Sequence, residues 1–244
     1  MLVGGAPADK PSRLVDPGES LRLVGPGPRF VSRGGDKLDA ALDRFGIVVA
    51  GRRVLDAGAS TGGFTDCVLQ RGAAEVVAVD VGRAQLHERI RADPRVRDLS
   101  RTNVRDLDPA LVGGLFPLVV VDLSFISVRL VLDALLRVCA PGADLVILVK
   151  PQFEAGRAEV DRGRGVIRDP DVWRAVLTDT IAAAEARGAI IMGLMVSPIR
   201  GAEGNVEFLL HARAPGPDLP AHCAVTAADV ARVVAQAAGC PGGR

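Results

Sequence analysis

The sequence predicts an α/β protein with a doubly wound parallel sheet. Three observations support this fold class. Seven short apolar segments are typical of strands, helical patterns separate most of them, and a glycine-rich turn follows the first strand of that series. The 244 residues, 48% of them apolar, are enough to bury one sizeable core.

The strand and helix segments alternate along the chain. Strands are expected at 53–58, 75–80, 96–99, 118–122, 144–149, 189–196 and 205–211. Helices are expected at 35–45, 64–71, 83–91, 128–138 and 171–187, the last of them opened by Asp169 as cap and Pro170 in the first turn.

The chain after residue 189 departs from this alternation. The last two strand segments are joined by SPIRGAEG, which is too short for a crossover helix, so we expect an antiparallel hairpin at the sheet edge. A linker, RAPGPDLP, then leads to an amphipathic pattern at 227–238 that follows the cap candidate Thr226. This pattern predicts a C-terminal helix.

Composition argues against several functional classes. Met1 is not followed by a signal-peptide pattern, and the longest apolar runs are far below the ~20 residues of a membrane span, so we expect a cytoplasmic protein without a membrane partner. Cys67, Cys139, Cys223 and Cys240 lack metal-ligand spacing, and no metal is expected. The net charge of +1 does not indicate nucleic-acid binding, yet seven arginines against three acids at 83–105 leave a local basic surface open.

Lysine is rare in this chain. Of the 30 basic residues only Lys10, Lys37 and Lys150 are lysine, and the other 27 are arginine. Arginine keeps its proton in proteins, whereas lysine can release it when its surroundings lower its pKa. The three lysines are therefore candidates for chemistry that arginine cannot perform, although chance placement is the alternative.

The glycine-rich turn after segment 53–58 predicts a nucleotide site. It reads GASTGG and leads from a strand into a helix, which places backbone N–H groups at the carboxyl end of the sheet. It departs from the dinucleotide fingerprint, and the preceding Asp56 would repel a pyrophosphate but suits the ammonium and sulfonium of S-adenosylmethionine. Asp80 at the next strand end can accept ribose hydroxyls, and Asn103 is a candidate adenine contact. A tight turn without a ligand is the alternative.

Seven strings in this chain match one known family in the same order. They are VSRGGDKL (31–38), LDAGASTGGFTD (55–66), VVAVDVG (76–82), RTNVRDL (101–107), VVVDLSFIS (120–127), VKPQFE (149–154) and GNVEFLL (204–210). With them the chain resembles the TlyA (hemolysin A type) ribosomal RNA 2′-O-methyltransferases, relatives of the FtsJ-like methyltransferases. The resemblance implies a Rossmann-like, seven-stranded methyltransferase sheet and S-adenosylmethionine as cofactor. It also implies ribosomal RNA as partner, methylated on the ribose of cytidine.

The same resemblance implies a catalytic tetrad, Lys37, Asp122, Lys150 and Glu207. Asp122 and Lys150 also end apolar strand segments, where a doubly wound sheet binds its ligands, and charge at such a place is rarely needed for packing. We expect Lys150 to remove the proton from the ribose hydroxyl. The expected cofactor-binding set is Asp56, Gly58, Ala59, Ser60, Thr61, Gly62, Gly63, Phe64, Asp80, Val81, Asn103, Val104 and Asp122.

The first residues differ from the rest in composition. Residues 1–30 are rich in glycine and proline and resemble only the β portion of an S-four-type RNA-binding domain, so part of a phosphate-binding surface is expected to be absent. The expected domains are this β-rich remnant with its linker, the methyltransferase domain at 31–213, and a linker with a C-terminal helix at 214–244.

Three other functions compete with the RNA methyltransferase. The first is a small-molecule O- or N-methyltransferase derived from this family by loss of the RNA-binding domain. The second is a catalytically idle protein that binds S-adenosylmethionine, which retention of the tetrad disfavours. The third is a membrane-active toxin, which the absence of long apolar or amphipathic segments disfavours. Neither the target nucleotide nor the oligomeric state follows from the sequence.

Overall fold

A computed structural model describes residues 1–8, 10, 12–22, 24, 27–217 and 225–239. Cys223, Cys240 and the last three residues of the expected linker at 213–220 lie outside these ranges. Near the N-terminus, three two-residue strands form a small antiparallel sheet in the order β2-β1-β3. They are β1 (Leu2–Val3), β2 (Ala6–Pro7) and β3 (Leu21–Arg22). The assignment of this segment to an S-four-type domain stays a prediction.

The main sheet has seven strands in the order β6-β5-β4-β7-β8-β10-β9. All neighbouring pairs are parallel except those of β10, which is antiparallel to both β8 and β9. The strands are β4 (Arg53–Ala57), β5 (Glu75–Asp80), β6 (Val96–Ser100), β7 (Phe116–Val121), β8 (Cys139–Val149), β9 (Ile190–Val196) and β10 (Phe208–Arg213). The expected fold class and terminal hairpin are confirmed, with β9 at the edge and β10 inserted beside β8.

Helices cover both faces of this sheet. They are α1 (Gly34–Phe45), α2 (Gly63–Gln70), α3 (Glu88–Arg91), α4 (Pro109–Val112), α5 (Leu132–Arg137), α6 (Pro151–Glu154), α7 (Arg157–Arg162), α8 (Pro170–Glu185) and α9 (Ala227–Gly239). Two 3₁₀ turns occupy Val104–Asp106 and Val128–Leu130. The caps expected at Asp169 and Thr226 are confirmed, since their side chains accept the backbone N–H groups of Asp171 and Asp229.

The apolar runs of the central strands are buried on both faces of the sheet. Val119 and Val121 of β7 pack in the cluster that includes α5, α8 and α9. Leu118 and Val120 pack in the opposite cluster, with α1 and α2. This explains why the strand segments read as continuous apolar runs rather than alternating ones. Cys67 and Cys139 are buried in these clusters.

Three element boundaries differ from the sequence-based expectation. In the segment 83–91 only Glu88–Arg91 is helical, because Ala84 is left-handed (φ +49°) and the His87 side chain caps the shortened helix. The segment 128–138 is divided at Val131 into a 3₁₀ turn and α5. Strand β10 begins at Phe208, so Glu207 lies directly before the strand and not within it.

Candidate functional site

Two cavities adjoin each other at the carboxyl ends of β4, β5, β7 and β8. The lysine cavity, of about 430 Å³, is lined by Lys37 and Lys150 among others. The Asp80 cavity, of about 560 Å³, extends from the glycine turn along β5 to the 3₁₀ turn at Val104–Asp106. The two share a wall formed by Gly58, Ser60, Asp122, Ser124 and Phe125. A molecule in one cavity can therefore reach a molecule in the other.

Lys37 and Glu207 form a buried ion pair in the lysine cavity. Lys37 lies in the first turns of α1, and its Nζ is 2.5 Å from Oε2 of Glu207. The two side chains are 10% and 3% exposed. Gly201 lies against this carboxylate, and a Cβ at position 201 would overlap Glu207 Oε1. The backbone of residue 201 thus leaves room for the Glu207 side chain only because it is glycine.

Lys150 forms the second charged pair of the lysine cavity. It follows β8 directly, and its Nζ is 2.6 Å from Oδ1 of Asp122 and 2.9 Å from the Ser124 hydroxyl. Asp122 follows β7, the neighbouring parallel strand, so the register of β7 and β8 brings the two residues together. All four residues of the expected tetrad line the same cavity. Their catalytic role stays a proposal.

The loop that carries Asp122 and Ser124 is anchored at both ends. At its start, the Asp122 carbonyl lies so close to Gly58 that a Cβ there would overlap it, and Gly58 has φ +92°, which favours glycine. At its end, buried Glu154 accepts hydrogen bonds from the Ser127 hydroxyl (2.5 Å) and the Val128 N–H (2.7 Å). The loop is therefore fixed to the glycine turn on one side and to α6 on the other.

The Asp80 cavity has the polar groups and the apolar walls that a nucleoside requires. Asp80 accepts the backbone N–H groups of Ser60 (2.8 Å) and Gly82 (2.7 Å), which fixes its carboxylate at the end of β5. Each carboxylate oxygen retains a lone pair for a further donor. Of the expected cofactor-binding residues, this cavity is lined by Gly58, Ser60, Asp80, Val81, Asn103, Val104 and Asp122.

The remaining expected cofactor-binding residues have other positions. Ala59, Thr61, Gly63 and Phe64 line the lysine cavity. Gly62 caps α2 and is not among the lining residues of either cavity.

Asp56 is fully buried beneath the glycine turn, where Thr65 donates to its Oδ2 at 2.6 Å and Oδ1 has no partner. Burial, with the charges of Asp122 and Asp80 adding to it, raises the pKa of Asp56 to about 7 despite the hydrogen bond from Thr65. Asp56 is likewise not among the lining residues of either cavity.

Two residues of the shared wall were not expected from the sequence. Ser124 contacts Lys150, and Phe125 is 91% exposed with a left-handed backbone (φ +65°) and a ring 5.1 Å from that of Phe153. A phenylalanine in the loop that follows Asp122 was the available signal. Large aromatic side chains at loop positions beside a site are seldom placed there by packing.

The arginines near the Asp80 cavity divide into paired and unpaired groups. Arg89 binds Asp66, Arg95 binds Asp93, and Arg97 donates to the Leu111 carbonyl. Within the described residues, no hydrogen bond or ion pair is made by the guanidinium groups of the other four arginines of segment 83–105, namely Arg83, Arg91, Arg101 and Arg105. Arg105 lines the Asp80 cavity and Arg33 lines the lysine cavity, so positive charge borders both openings.

Two kinds of feature are absent from the described residues. No helix there has both the length and the apolar character needed to cross a membrane. Within the same residues, no group of three or more histidine, cysteine, aspartate or glutamate side chains could hold a metal ion.

Comparison with known proteins gives consistent relatives. Residues 30–214 match the family model described as FtsJ-like methyltransferase. The 16S/23S rRNA (cytidine-2′-O)-methyltransferase TlyA of Mycobacterium tuberculosis is 49% identical over 212 residues, which are 86% of this chain and 79% of that protein.

Solved structures with the same fold are also found among the relatives. A Streptococcus thermophilus protein named as a candidate hemolysin superposes with a TM-score of 0.80 at 43% identity, covering 96% of this chain and 83% of that one. The N-methyltransferase NodS of Bradyrhizobium japonicum, solved with S-adenosyl-L-homocysteine, shares the fold at 18% identity (TM-score 0.52, 73% and 86% covered).

Proposed function

The chain belongs to the FtsJ-like methyltransferase family, and from this premise we propose that it methylates a ribose 2′-hydroxyl of cytidine in ribosomal RNA. S-adenosylmethionine is the proposed methyl donor. The observation that carries the proposal is the assembly of Lys37, Asp122, Lys150 and Glu207 around one cavity that opens into a second, nucleoside-sized cavity. A ribosomal RNA substrate would place the reaction in the cytoplasm.

The Asp80 cavity is the proposed cofactor site. Asp80 would bind the ribose hydroxyls, and Asn103 would contact the adenine, which would lie between the apolar side chains of Val104 and Ile126. When bound, the cofactor supplies an electrophilic methyl group on a positively charged sulfur. Asp122, in the wall shared with the lysine cavity, would provide the compensating negative charge near that sulfur.

The lysine cavity is the proposed acceptor site. A ribose hydroxyl is a very weak acid, so a base must take its proton as the oxygen attacks the methyl group. Lys150 is our assignment for this base because Asp122 and Ser124 hold its Nζ at the shared wall. Lys37, held by Glu207, would place a positive charge beside the developing charge on the oxygen. Alignment of oxygen, methyl and sulfur would supply the larger part of the rate.

Two features of the openings support a nucleic acid as the acceptor. Arg33 and Arg105 line the cavities, and their guanidinium groups have no partner within the described residues, which suits phosphate groups. Phe125 presents a nearly fully exposed ring at the wall between the cavities, where an unstacked base could pack. A small hydrophobic acceptor would require neither feature.

The small-molecule alternative is not favoured. The relative that is 49% identical over most of the chain is named for methylation of ribosomal RNA, and the arginines described above have no evident role in binding a small neutral acceptor.

Methyl transfer from tritium-labelled S-adenosylmethionine tests the proposal. The purified protein is incubated with ribosomal subunits, with deproteinised ribosomal RNA and with a small-molecule extract of cells. Label in RNA that becomes resistant to alkaline cleavage at one cytidine supports the proposal, since a 2′-O-methyl group blocks attack on the adjacent phosphate. Label only in small molecules would replace the proposed function with the alternative.

A further inference from the structure

The Lys150 amine makes one hydrogen bond, to Ser124, and one ion-pair contact, with Asp122. Its Nζ lies 2.6 Å from Asp122 Oδ1 and 2.9 Å from Ser124 Oγ. A lysine amine has three positions besides its carbon, which are three N–H bonds when charged, or two N–H bonds and a lone pair when neutral. Asp122 Oδ1 attracts the amine as an ion-pair partner without accepting a hydrogen bond, so Ser124 is the group that fixes the direction of an N–H bond of Lys150.

Ser124 lies at the boundary between the two cavities. Its hydroxyl is in the wall shared by the lysine cavity and the Asp80 cavity, as is Asp122. The Lys37 side of the lysine cavity is different, because Lys37 Nζ is bound by Glu207 and makes no hydrogen bond to a hydroxyl in the described structure. The serine contact therefore distinguishes Lys150 from the other lysine of the cavity.

The backbone holds Ser124 in place independently of Lys150. Residues 122–128 are fixed at Gly58 on one side and at Glu154 on the other. Because Lys150 and Glu154 belong to the same short segment, the loop and that segment are linked twice. The position of the Ser124 hydroxyl, which accepts the hydrogen bond from Lys150, is therefore set by the loop and not by Lys150.

We propose that Ser124 is a positioning residue for methyl transfer, and that its hydroxyl, by accepting one N–H bond of Lys150 while Asp122 attracts the amine, keeps the lone pair of Nζ directed toward the methyl acceptor in the lysine cavity. This inference rests on the proposed function, because it assumes that Lys150 receives the proton. As the acceptor hydroxyl loses its proton to the Nζ lone pair, its oxygen forms the bond to the methyl group and the methyl–sulfur bond breaks. The amine becomes an ammonium whose third N–H faces the product oxygen.

Kinetics with three variants test the proposal. Ser124→Ala removes the hydroxyl that accepts the hydrogen bond from Lys150, and Ser124→Thr keeps a hydroxyl at that position. Ser127→Ala removes a hydrogen bond to Glu154 in the same loop and leaves the contacts of Lys150 unchanged. We expect Ser124→Ala to lower the single-turnover rate about tenfold at saturating cofactor and to shift the pH dependence of that rate, with cofactor affinity within about twofold. Ser124→Thr should recover the rate to within about threefold.

The scarcity of lysine provides a second readout that does not depend on an RNA substrate. Protein labelled with ¹³C at lysine Cε gives signals from Lys10, Lys37 and Lys150 alone, assignable by single Lys→Arg variants. Ser124→Ala should displace the Lys150 signal and leave that of Lys10 in place, and Ser124→Thr should restore it. Ser127→Ala should lower the melting temperature without displacing the Lys150 signal.

The outcomes separate this inference from the proposed function. If the wild-type protein methylates no RNA but the Lys150 signal responds to Ser124 as described, the proposed function fails and the contact stands. A normal rate in Ser124→Ala with an unmoved Lys150 signal overturns the inference while methyl transfer stands. The inference is also overturned if Ser127→Ala changes the rate and the Lys150 signal as much as Ser124→Ala does, since Ser124 would then act only by ordering the loop.

Discussion

Lys37 and Glu207, 170 positions apart in the sequence, form a buried ion pair with 2.5 Å between Nζ and Oε2. The pair connects the first turns of α1 to the chain that enters β10, so it joins the beginning and the end of the methyltransferase sheet. Both charges are largely removed from water. Removal of one partner would leave the other charge buried and unpaired, which costs more than the pair itself contributes.

Glu207→Gln is expected to reduce both stability and activity. The free energy of unfolding should fall by roughly 3 kcal/mol because the Lys37 ammonium loses its counter-charge. The double variant Lys37→Met with Glu207→Gln should recover part of that loss, yet it should remain inactive. Urea denaturation of the two single variants and the double variant forms a cycle that measures the coupling. Additive effects would show that the two side chains do not interact in solution.

Lys150→Arg is expected to abolish the proposed base while it keeps the positive charge. If Lys150 removes the ribose proton, the single-turnover rate should fall by ~10² to 10⁴, the usual contribution of a positioned base. Cofactor affinity should change little, because the residues around Asp80 are not altered.

Lys10→Arg is the matched control for this experiment. Lys10 lies outside both cavities, and the same substitution there should leave the rate and the affinity unchanged. Near-normal turnover in Lys150→Arg would mean that the lysine only anchors the substrate, since arginine can do that equally well.

Calorimetric titration should detect binding of S-adenosylmethionine and no comparable binding of NAD. The carboxylates of Asp80 and Asp122 in the Asp80 cavity favour a cationic ligand and disfavour a pyrophosphate. Asp80→Ala should weaken cofactor binding about 10- to 100-fold through loss of the ribose contacts. Tighter binding of NAD than of S-adenosylmethionine would contradict the cofactor assignment.

Asp56→Asn is expected to alter the pH dependence of stability. The pKa of this carboxyl is about 7 in the folded protein, above its ordinary value of 3.8, so the folded state holds the proton more tightly than the unfolded state. Its contribution is fully present below pH ~4 and is lost as the pH rises to about 7 and above. The variant should therefore be more stable than the wild type by roughly 2–4 kcal/mol at pH 8, and this advantage should vanish near pH 4.

Chemical denaturation of both proteins at pH 4, 6 and 8, without cofactor, measures this difference. Val68→Ala is a useful comparison, because a core truncation lowers stability equally at each pH. Parallel stability curves for wild type and Asp56→Asn would show that the carboxyl titrates normally in the folded state.

Binding of RNA should be weak and strongly dependent on salt. The unpaired arginines beside the cavities suit phosphate groups and do not read bases, and phosphate contacts weaken as salt concentration rises. Arg101→Gln and Arg105→Gln should each reduce the slope of log affinity against log salt by about one unit. Arg187→Gln, which removes a partner of Asp133 in another part of the protein, should leave that slope unchanged. Nanomolar affinity that salt does not affect would contradict this expectation.

Local patterns were sufficient for most of the secondary structure. The continuous apolar runs of β5, β7 and β8 and the Asp169 cap of α8 depend on neighbours within a few residues, so the sequence predicted them directly. The prediction of one helix over segment 83–91 was wrong. The left-handed backbone of Ala84 interrupts the first half of the segment, and the helix begins only after the cap at His87. Such a conformation depends on what the rest of the fold places beside it.

By itself, the sequence determined the parallel sheet, the glycine turn, and the charged residues at the strand ends, because periodicity and strand-end position are properties of the chain. The rarity of lysine made Lys10, Lys37 and Lys150 candidates, and the family resemblance selected Lys37 and Lys150 among them. Only the tertiary structure decided which charges meet, the full burial of Asp56, and the contact of Ser124 with Lys150. These contacts depend on strand register and on loops anchored by distant residues such as Glu154. A local sequence pattern does not contain the distance between two segments that lie far apart in the chain.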